Sequence, residues 1–248
     1  MDAKQARRDV FIFVPAYNVE RTLEGVLSKI SPAILNRSRI LVIDDGSDDG
    51  TRASFEHWLS ERRESEAEIV CFEKNAGYGP VVKYGIARAL ESNANFIVCL
   101  HGDGQYPAEM IESLVEILEG TENVLVQGSR HASDGCARSG GMPLYKRIGG
   151  KFLTFVENLV FNEKMTDRHS GFIAYKSDFL KTVSVDKLSD SFDIDIELIA
   201  IADSSCRKMT EIPIPTCYAG EKSNLKVLPY GFRVLFLVIR TLFRRLHR

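Results

Sequence analysis

The chain has 248 residues, 44% of them apolar and 27% charged, which excludes disordered, collagenous and low-complexity classes and is long enough for one large domain with a sizeable core. The 32 Lys and Arg against 34 Asp and Glu give a net charge of −2, without the basic excess of a chain whose main partner is nucleic acid. The charge is uneven. Residues 223–248 hold six Lys or Arg and no carboxylate, so residues 1–222 sum to −2 − 6 = −8. Five cysteines, at 71, 99, 136, 206 and 217, show no CxxC spacing and read as reduced, buried thiols. The first ten residues are polar, and the longest apolar run, 234–239, has six residues against the ~20 that span a bilayer. The expectation is a cytoplasmic protein without a transmembrane helix.

In chain order, β-branched or aromatic runs at 10–14, 40–43, 69–72, 96–100 and 124–126 predict strands. A helix over 20–30 sets Leu23, Val26, Leu27 and Ile30 on one face, with Asn18 as its cap. A second opens at Pro107, carries Met110, Ile111, Leu114, Val115 and Leu118, and stops at Gly120. The second half is less regular: helix at 146–161, strand at 172–175, helix at 194–202 and an extended piece at 211–217 broken by prolines. Such alternation predicts an α/β fold with a mostly parallel sheet, whose ligands collect at the carboxyl ends of the strands. With no linker in view, one domain is expected over 1–225. Residues 226–248 form a separate basic helix, with apolar residues at 232, 235, 236, 239, 242, 243 and 246 and basic ones at 233, 240, 244, 245 and 248. That segregation suits a membrane interface with anionic lipid, or packing on the core or on a second subunit.

The chemistry-bearing residues follow the strands. After the first come Pro15, Ala16, Tyr17, Asn18 and Glu20; the proline fixes the backbone and Tyr17 offers a flat ring to a nucleobase, although a plain strand-to-helix turn has the same composition. The second strand ends in Asp44-Asp45-Gly46-Ser47-Asp48-Asp49-Gly50-Thr51. Without a GxGxxG cradle, these carboxylates suit a base N–H or ribose hydroxyls better than phosphates. Asp44 is the ligand candidate, and Asp48 or Asp49 the cap of the next helix. The fourth strand delivers His101-Gly102-Asp103-Gly104-Gln105, where glycines allow close approach. Asp103 and Gln105 offer oxygen ligands to Mg²⁺ or Mn²⁺, with substrate phosphates completing the shell; the alternative is an acidic turn before a helix. The Gly-rich run 75–80 precedes a helix and either turns backbone N–H groups to a donor or is a simple tight turn. Residues 133–141 read as a mobile loop able to close over the donor. His57, His131 and His247 have no partner pattern and are assigned to the surface.

Together with Gly128-Ser129-Arg130 and Asp167-Arg168-His169-Ser170-Gly171-Phe172, these segments resemble glycosyltransferase family 2 with the GT-A fold, and more closely its dolichyl- or polyprenyl-phosphate sugar synthases, over about residues 9–226. The resemblance implies a nucleotide-diphosphosugar donor. Pro15, Ala16, Tyr17, Glu20, Asp44, Gly102 and Asp103 would surround the nucleotide, Asp103 and Gln105 would hold Mg²⁺ or Mn²⁺, and Arg130 and Lys146 would approach the phosphates. Ser170 and Ser223 fall on the acceptor side. The acceptor it implies is a polyprenyl phosphate or a sugar hydroxyl, with inversion at the anomeric carbon.

Three positions depart from the family pattern. His101 replaces the first Asp of the usual DXD. The stretch 218–225 lacks the Arg of an acceptor-side R-x-x-G-x-S-K-L segment and has Asn224 for its Lys. Asp195 and Glu197 match the D-x-E-L of other family 2 members.

An anionic acceptor phosphate needs no general base, whereas a hydroxyl does. For a hydroxyl, Asp195 is the first candidate and Asp193 or Asp167 the reserve; helical spacing sets 193 and 197 on one face and 195 opposite. The leading expectation is a metal-dependent inverting hexosyltransferase acting on polyprenyl phosphate at the inner membrane face, peripherally bound through its C-terminal helix. Its rivals are transfer to a glycan hydroxyl and a catalytically silent nucleotide-sugar-binding module.

Overall fold

The computed structural model describes residues 8–62, 65–132, 141–162, 164–215 and 227–246. Among them run seven strands, β1 (Val10–Ala16), β2 (Ser38–Asp44), β3 (Ala67–Cys71), β4 (Phe96–Cys99), β5 (Leu125–Ser129), β6 (Ile173–Lys176) and β7 (Met209–Pro213). The helices are α1 (Leu23–Ser28), α2 (Pro32–Arg37), α3 (Thr51–Ser60), α4 (Tyr78–Glu91), α5 (Ile111–Gly120), α6 (Leu144–Val160), α7 (Ser177–Leu180), α8 (Ile194–Ser204) and α9 (Val227–Leu246). The strands form one sheet in the order β3-β2-β1-β4-β6-β5-β7, parallel except for β6, which runs antiparallel to both neighbours.

β1 lies inside the sheet and is apolar on both faces, as a strand covered by helices on each side must be. Val10, Ile12 and Val14 join the core beneath α1, α2, α3 and α5. Phe11 and Phe13 join the opposite core, beneath α4, α7 and α8. Helix α4 comes so close that a Cβ on Gly85 would stand 2.5 Å from the Phe13 ring.

The predicted helix 20–30 contracts to α1. Asn18 is not its cap: its backbone is left-handed (φ 53°) and its amide oxygen accepts from Asp48 N at 3.0 Å. Cys99 is buried as expected, but Cys71 and Cys206 are exposed.

A third cluster joins Phe161, at the end of α6, to Ile196 and Ala200 of α8 and Val234 and Leu237 of α9. Ion pairs Arg233–Asp193 (3.4 Å) and Arg240–Glu197 (3.1 Å) tie α9 to α8. The buried side of α9 is Val234, Leu237, Val238 and Thr241, while Phe232, Phe236, Ile239, Leu242 and Phe243 are exposed. Helix α9 is therefore apolar on two sides and packs with only one. Its neighbour α6 does the same, leaving Leu144, Tyr145, Ile148, Phe152, Phe155 and Leu159 between 59% and 70% exposed. Among the described residues no helix is long and apolar enough to cross a membrane.

Candidate active site

A cleft of about 1520 Å³ opens at the carboxyl ends of β1, β2, β4 and β5 and extends to α6 and α9. Pro15, Ala16, Tyr17 and Glu20 line it on the β1 side. The loop they share is fastened from behind: Pro15 O accepts from Gly102 N (3.0 Å), Ala16 O from Asp45 N (2.8 Å), and Glu20 Oε2 from Gly50 N (3.2 Å). Gly102 thus belongs to the buried wall, its carbonyl accepting from the Thr22 hydroxyl at 2.7 Å.

Asp44, the ligand candidate, is buried and is not among the residues that line the cleft. One of its oxygens accepts from Ser47 N (3.0 Å) and Ser47 Oγ (2.5 Å), a local turn that also anchors Asn18 N through the same hydroxyl. Asp45 lines the cleft instead, accepting from Ala76 N (2.7 Å) and Gly77 N (3.0 Å). Those amides of the Gly-rich run are spent on a side chain of the protein. Burial lifts the Asp45 carboxyl above its usual range, opposed by the two N–H groups. Asp49 accepts from Thr51 N at the head of α3 and from Glu20 N; burial works against its charge, but these bonds and the Thr51 hydroxyl hold its carboxyl low.

His101, Asp103 and Gln105 line the next wall. Asp103 Oδ1 accepts from Gln105 N at 3.0 Å across Gly104, whose φ of 77° suits glycine. Among the described residues no three His, Cys, Asp or Glu side chains converge as a complete metal shell. One carboxylate and one amide oxygen fit a hard cation that keeps most of its shell in waters and phosphate oxygens.

Arg130, at the end of β5, grips Asp167 with both prongs: Nε and the backbone N donate to Oδ2 (2.6 and 3.1 Å) and Nη2 to Oδ1 (2.9 Å). Their side chains are 13% and 1% exposed. Burial raises the Asp167 carboxyl, but the guanidinium outweighs it and holds the group far below the usual range. Lys146, in the first turn of α6, lines the same corner, and burial together with Arg130 lowers its ammonium. His131, assigned to the surface from sequence, also lines the cleft.

Asp195 enters from the start of α8 and is 7% exposed. Its Oδ2 accepts from the Tyr78 hydroxyl at 2.9 Å, and its buried Oδ1 has no hydrogen bond. Burial pushes the carboxyl up to about 7, opposed by the tyrosine. Tyr78 is also 3.1 Å from His101 Nε2. A phenol has one proton, so when it donates to Asp195 it accepts from Nε2–H. Burial lowers the imidazole, against Asp103 and assisted by Arg130, in keeping with a neutral ring protonated at Nε2. A Cβ on Gly171 would sit 2.6 Å from that nitrogen, so only glycine leaves room.

Asp193 and Glu197 face the other way, as helical spacing predicts, holding Ser189 and the α9 arginines. Ser170 is buried behind the cleft, its hydroxyl accepting from Phe172 N. Ser223, the rest of 218–225 and residues 133–140 lie outside the described residues. Sequence reasoning missed Tyr78 and Asp45, although the Gly-rich run and the Asp pair marked their loops.

The sequence model described as Glycosyl transferase family 2 matches residues 11–184. The chain belongs to this family. Among similar proteins, uncharacterized protein MJ1222 of Methanocaldococcus jannaschii is 31% identical over 93% of this chain and 91% of its own. The UDP-N-acetylglucosamine–dolichyl-phosphate N-acetylglucosaminyltransferase of Methanococcus voltae is 26% identical over 93% of this chain and 94% of its own. Glucosyl-3-phosphoglycerate synthase of Mycobacterium tuberculosis, solved with Mn²⁺, UDP and phosphoglyceric acid, superimposes with a TM-score of 0.65 at 18% identity over 96% of this chain and 78% of that one. The fold of this family 2 glycosyltransferase is accordingly GT-A.

Proposed function

We propose that this glycosyltransferase moves a hexose, with inversion and with Mg²⁺ or Mn²⁺, from a UDP- or GDP-sugar to polyprenyl or dolichyl phosphate at the cytoplasmic face of a membrane. The observation that carries this reading is the pair of exposed apolar stripes on α6 and α9 at the mouth of the cleft. Bulky apolar side chains left exposed on two neighbouring helices beside Arg-rich sequence suit an anionic lipid interface, the medium in which a lipid phosphate is met. The division into a catalytic part over 1–225 and a basic helix over 226–248 follows the same reading, with the nucleoside against Pro15, Ala16, Tyr17 and Glu20 and Asp45 taking the role first given to Asp44.

Transfer requires that charge developing on the departing diphosphate be neutralised and that the acceptor be aligned behind the anomeric carbon. Asp103 and Gln105 would hold the cation, which supplies Lewis-acid neutralisation of the diphosphate. Arg130, fixed by Asp167, and Lys146 add positive charge at the same corner. An acceptor phosphate attacks without giving up a proton. A second reading, transfer to a sugar hydroxyl, is favoured by Asp195, whose Oδ1 without a hydrogen bond and raised carboxyl suit a general base.

The test is transfer of labelled sugar from UDP- and GDP-sugars to dolichyl phosphate in anionic vesicles with Mg²⁺ or Mn²⁺. Label extracted into organic solvent supports the lipid acceptor. Label passing only to water-soluble glycan, or released only as free sugar, overturns it.

A further inference from the structure

The acceptor half of the cleft contains a polar cluster that the donor chemistry leaves unused. Glu157, on α6, is 0% exposed, and neither of its carboxylate oxygens has a hydrogen bond. Its Oε2 lies 3.3 Å from Nε2 of His169. The other imidazole nitrogen, Nδ1, is 2.8 Å from the hydroxyl of Tyr230 on α9, and the two rings meet edge to face. His169 and Tyr230 line the cleft beside Phe232 and Leu235. A carboxylate, an imidazole and a phenol thus run in series from α6 through the segment before β6 to α9.

Hydrogen-bond chemistry limits what this series can do. A carboxylate beside Nε2 calls for a proton on that nitrogen. With a second proton on Nδ1, the ring donates to the Tyr230 oxygen and the phenol hydrogen is released toward the cleft. Without it, the phenol donates to Nδ1 and keeps only lone pairs for a ligand. An anionic ligand is met by the first arrangement, with the Glu157 carboxylate 3.3 Å from the far side of the ring. Burial, with Glu157 and Asp195 nearby, pushes the Tyr230 phenol well above its usual range, so it keeps its proton to donate.

We infer that Tyr230 binds the acceptor, giving its phenol hydrogen to an anionic acceptor oxygen, and that His169, backed by Glu157, is the positioning residue that aims it. The inference rests on the acceptor-phosphate reading above and deepens it. Helix α9 then forms part of the acceptor site, so attachment to lipid and recognition of the phosphate reside in one element.

The test uses the full chain and a short, water-soluble isoprenyl phosphate, which removes membrane partitioning from the kinetics. Tyr230→Phe is expected to raise the acceptor KM about ten- to a hundredfold, the span of a hydrogen bond to a charged group, with the donor KM within about twofold. His169→Ala should match it, the double variant should be no worse than either single one, and His169→Asn, which keeps a donor near the Nδ1 position, should recover part of the loss. Should His169→Ala fail to fold because Glu157 is stranded, Tyr230→Phe decides alone. An unchanged acceptor KM in Tyr230→Phe, or donor and acceptor KM rising together, overturns the inference while the lipid-acceptor reading stands. If the wild-type chain transfers nothing to any isoprenyl phosphate, both fall.

Discussion

Tyr78 donates its hydroxyl to Asp195 at 2.9 Å across 117 residues of sequence and leaves the second carboxylate oxygen without a partner inside the cleft. The pair bears both on the charge of the cleft wall and on the stability of the protein around it.

Asp195 should make stability fall as pH rises. Its folded carboxyl titrates near 7 against an ordinary 3.8, so between those values the folded state holds a proton that the unfolded state has released. Stability contributed by that proton is complete below about pH 4 and lost by about pH 7, a difference of roughly a few kcal/mol. Asp195→Asn should therefore raise the melting temperature by several degrees near pH 8 and much less near pH 5, read by calorimetry.

The same substitution separates the acceptors. Transfer to polyprenyl phosphate should survive Asp195→Asn within about tenfold, whereas transfer to a sugar hydroxyl should fall by about 10²–10⁴-fold. Steady-state rates with each acceptor decide it, and a hydroxyl-specific loss would move the assignment to glycan synthesis.

Arg130→Lys should behave as a disruptive change. A lysine keeps the charge but cannot span both oxygens of Asp167, so the loss should stay below the about 3–5 kcal/mol that removing one partner of a buried pair costs. Donor KM should rise and the melting temperature drop. Because the Asp167 carboxyl is held low, the wild-type pair contributes fully above the ordinary carboxylate range and loses that contribution as pH falls below it, so the gap between variant and wild type should narrow in acid.

Asp103→Ala should abolish the metal-dependent part of donor binding. In a thermal-shift series with UDP- and GDP-sugars, Mn²⁺ should raise the melting temperature of wild type plus donor and add nothing to the variant. An equal Mn²⁺ increment in both would remove Asp103 from the metal role.

How much of this the sequence disclosed follows from the range of each interaction. β1 and β4 were legible because a central strand must be apolar on both faces, and the place of Asp103 and Gln105 on the cleft wall because a glycine-flanked turn at a strand end is local. Which of Asp44 and Asp45 lines the cleft was not legible. Adjacent residues at a strand end point to opposite sides, and the partners that decide the matter, Ser47 for one and Ala76 with Gly77 for the other, include a loop 31 residues away. Tyr78, Glu157 and Tyr230 were hidden for the same reason. Each meets a neighbour supplied by another element, and an aromatic at helical spacing reads as core. The second apolar side of α6 escaped because its stripe also fits a buried helix.

Those two stripes bear on how the protein behaves once it leaves the cell. Six bulky side chains on one rod and five on its neighbour present greasy ridges to bulk solvent. In dilute buffer they have nothing to wet them but each other. Concentrated, amphiphile-free preparations should turn cloudy, and a mild surfactant should clear them while competing with lipid for the same two ridges.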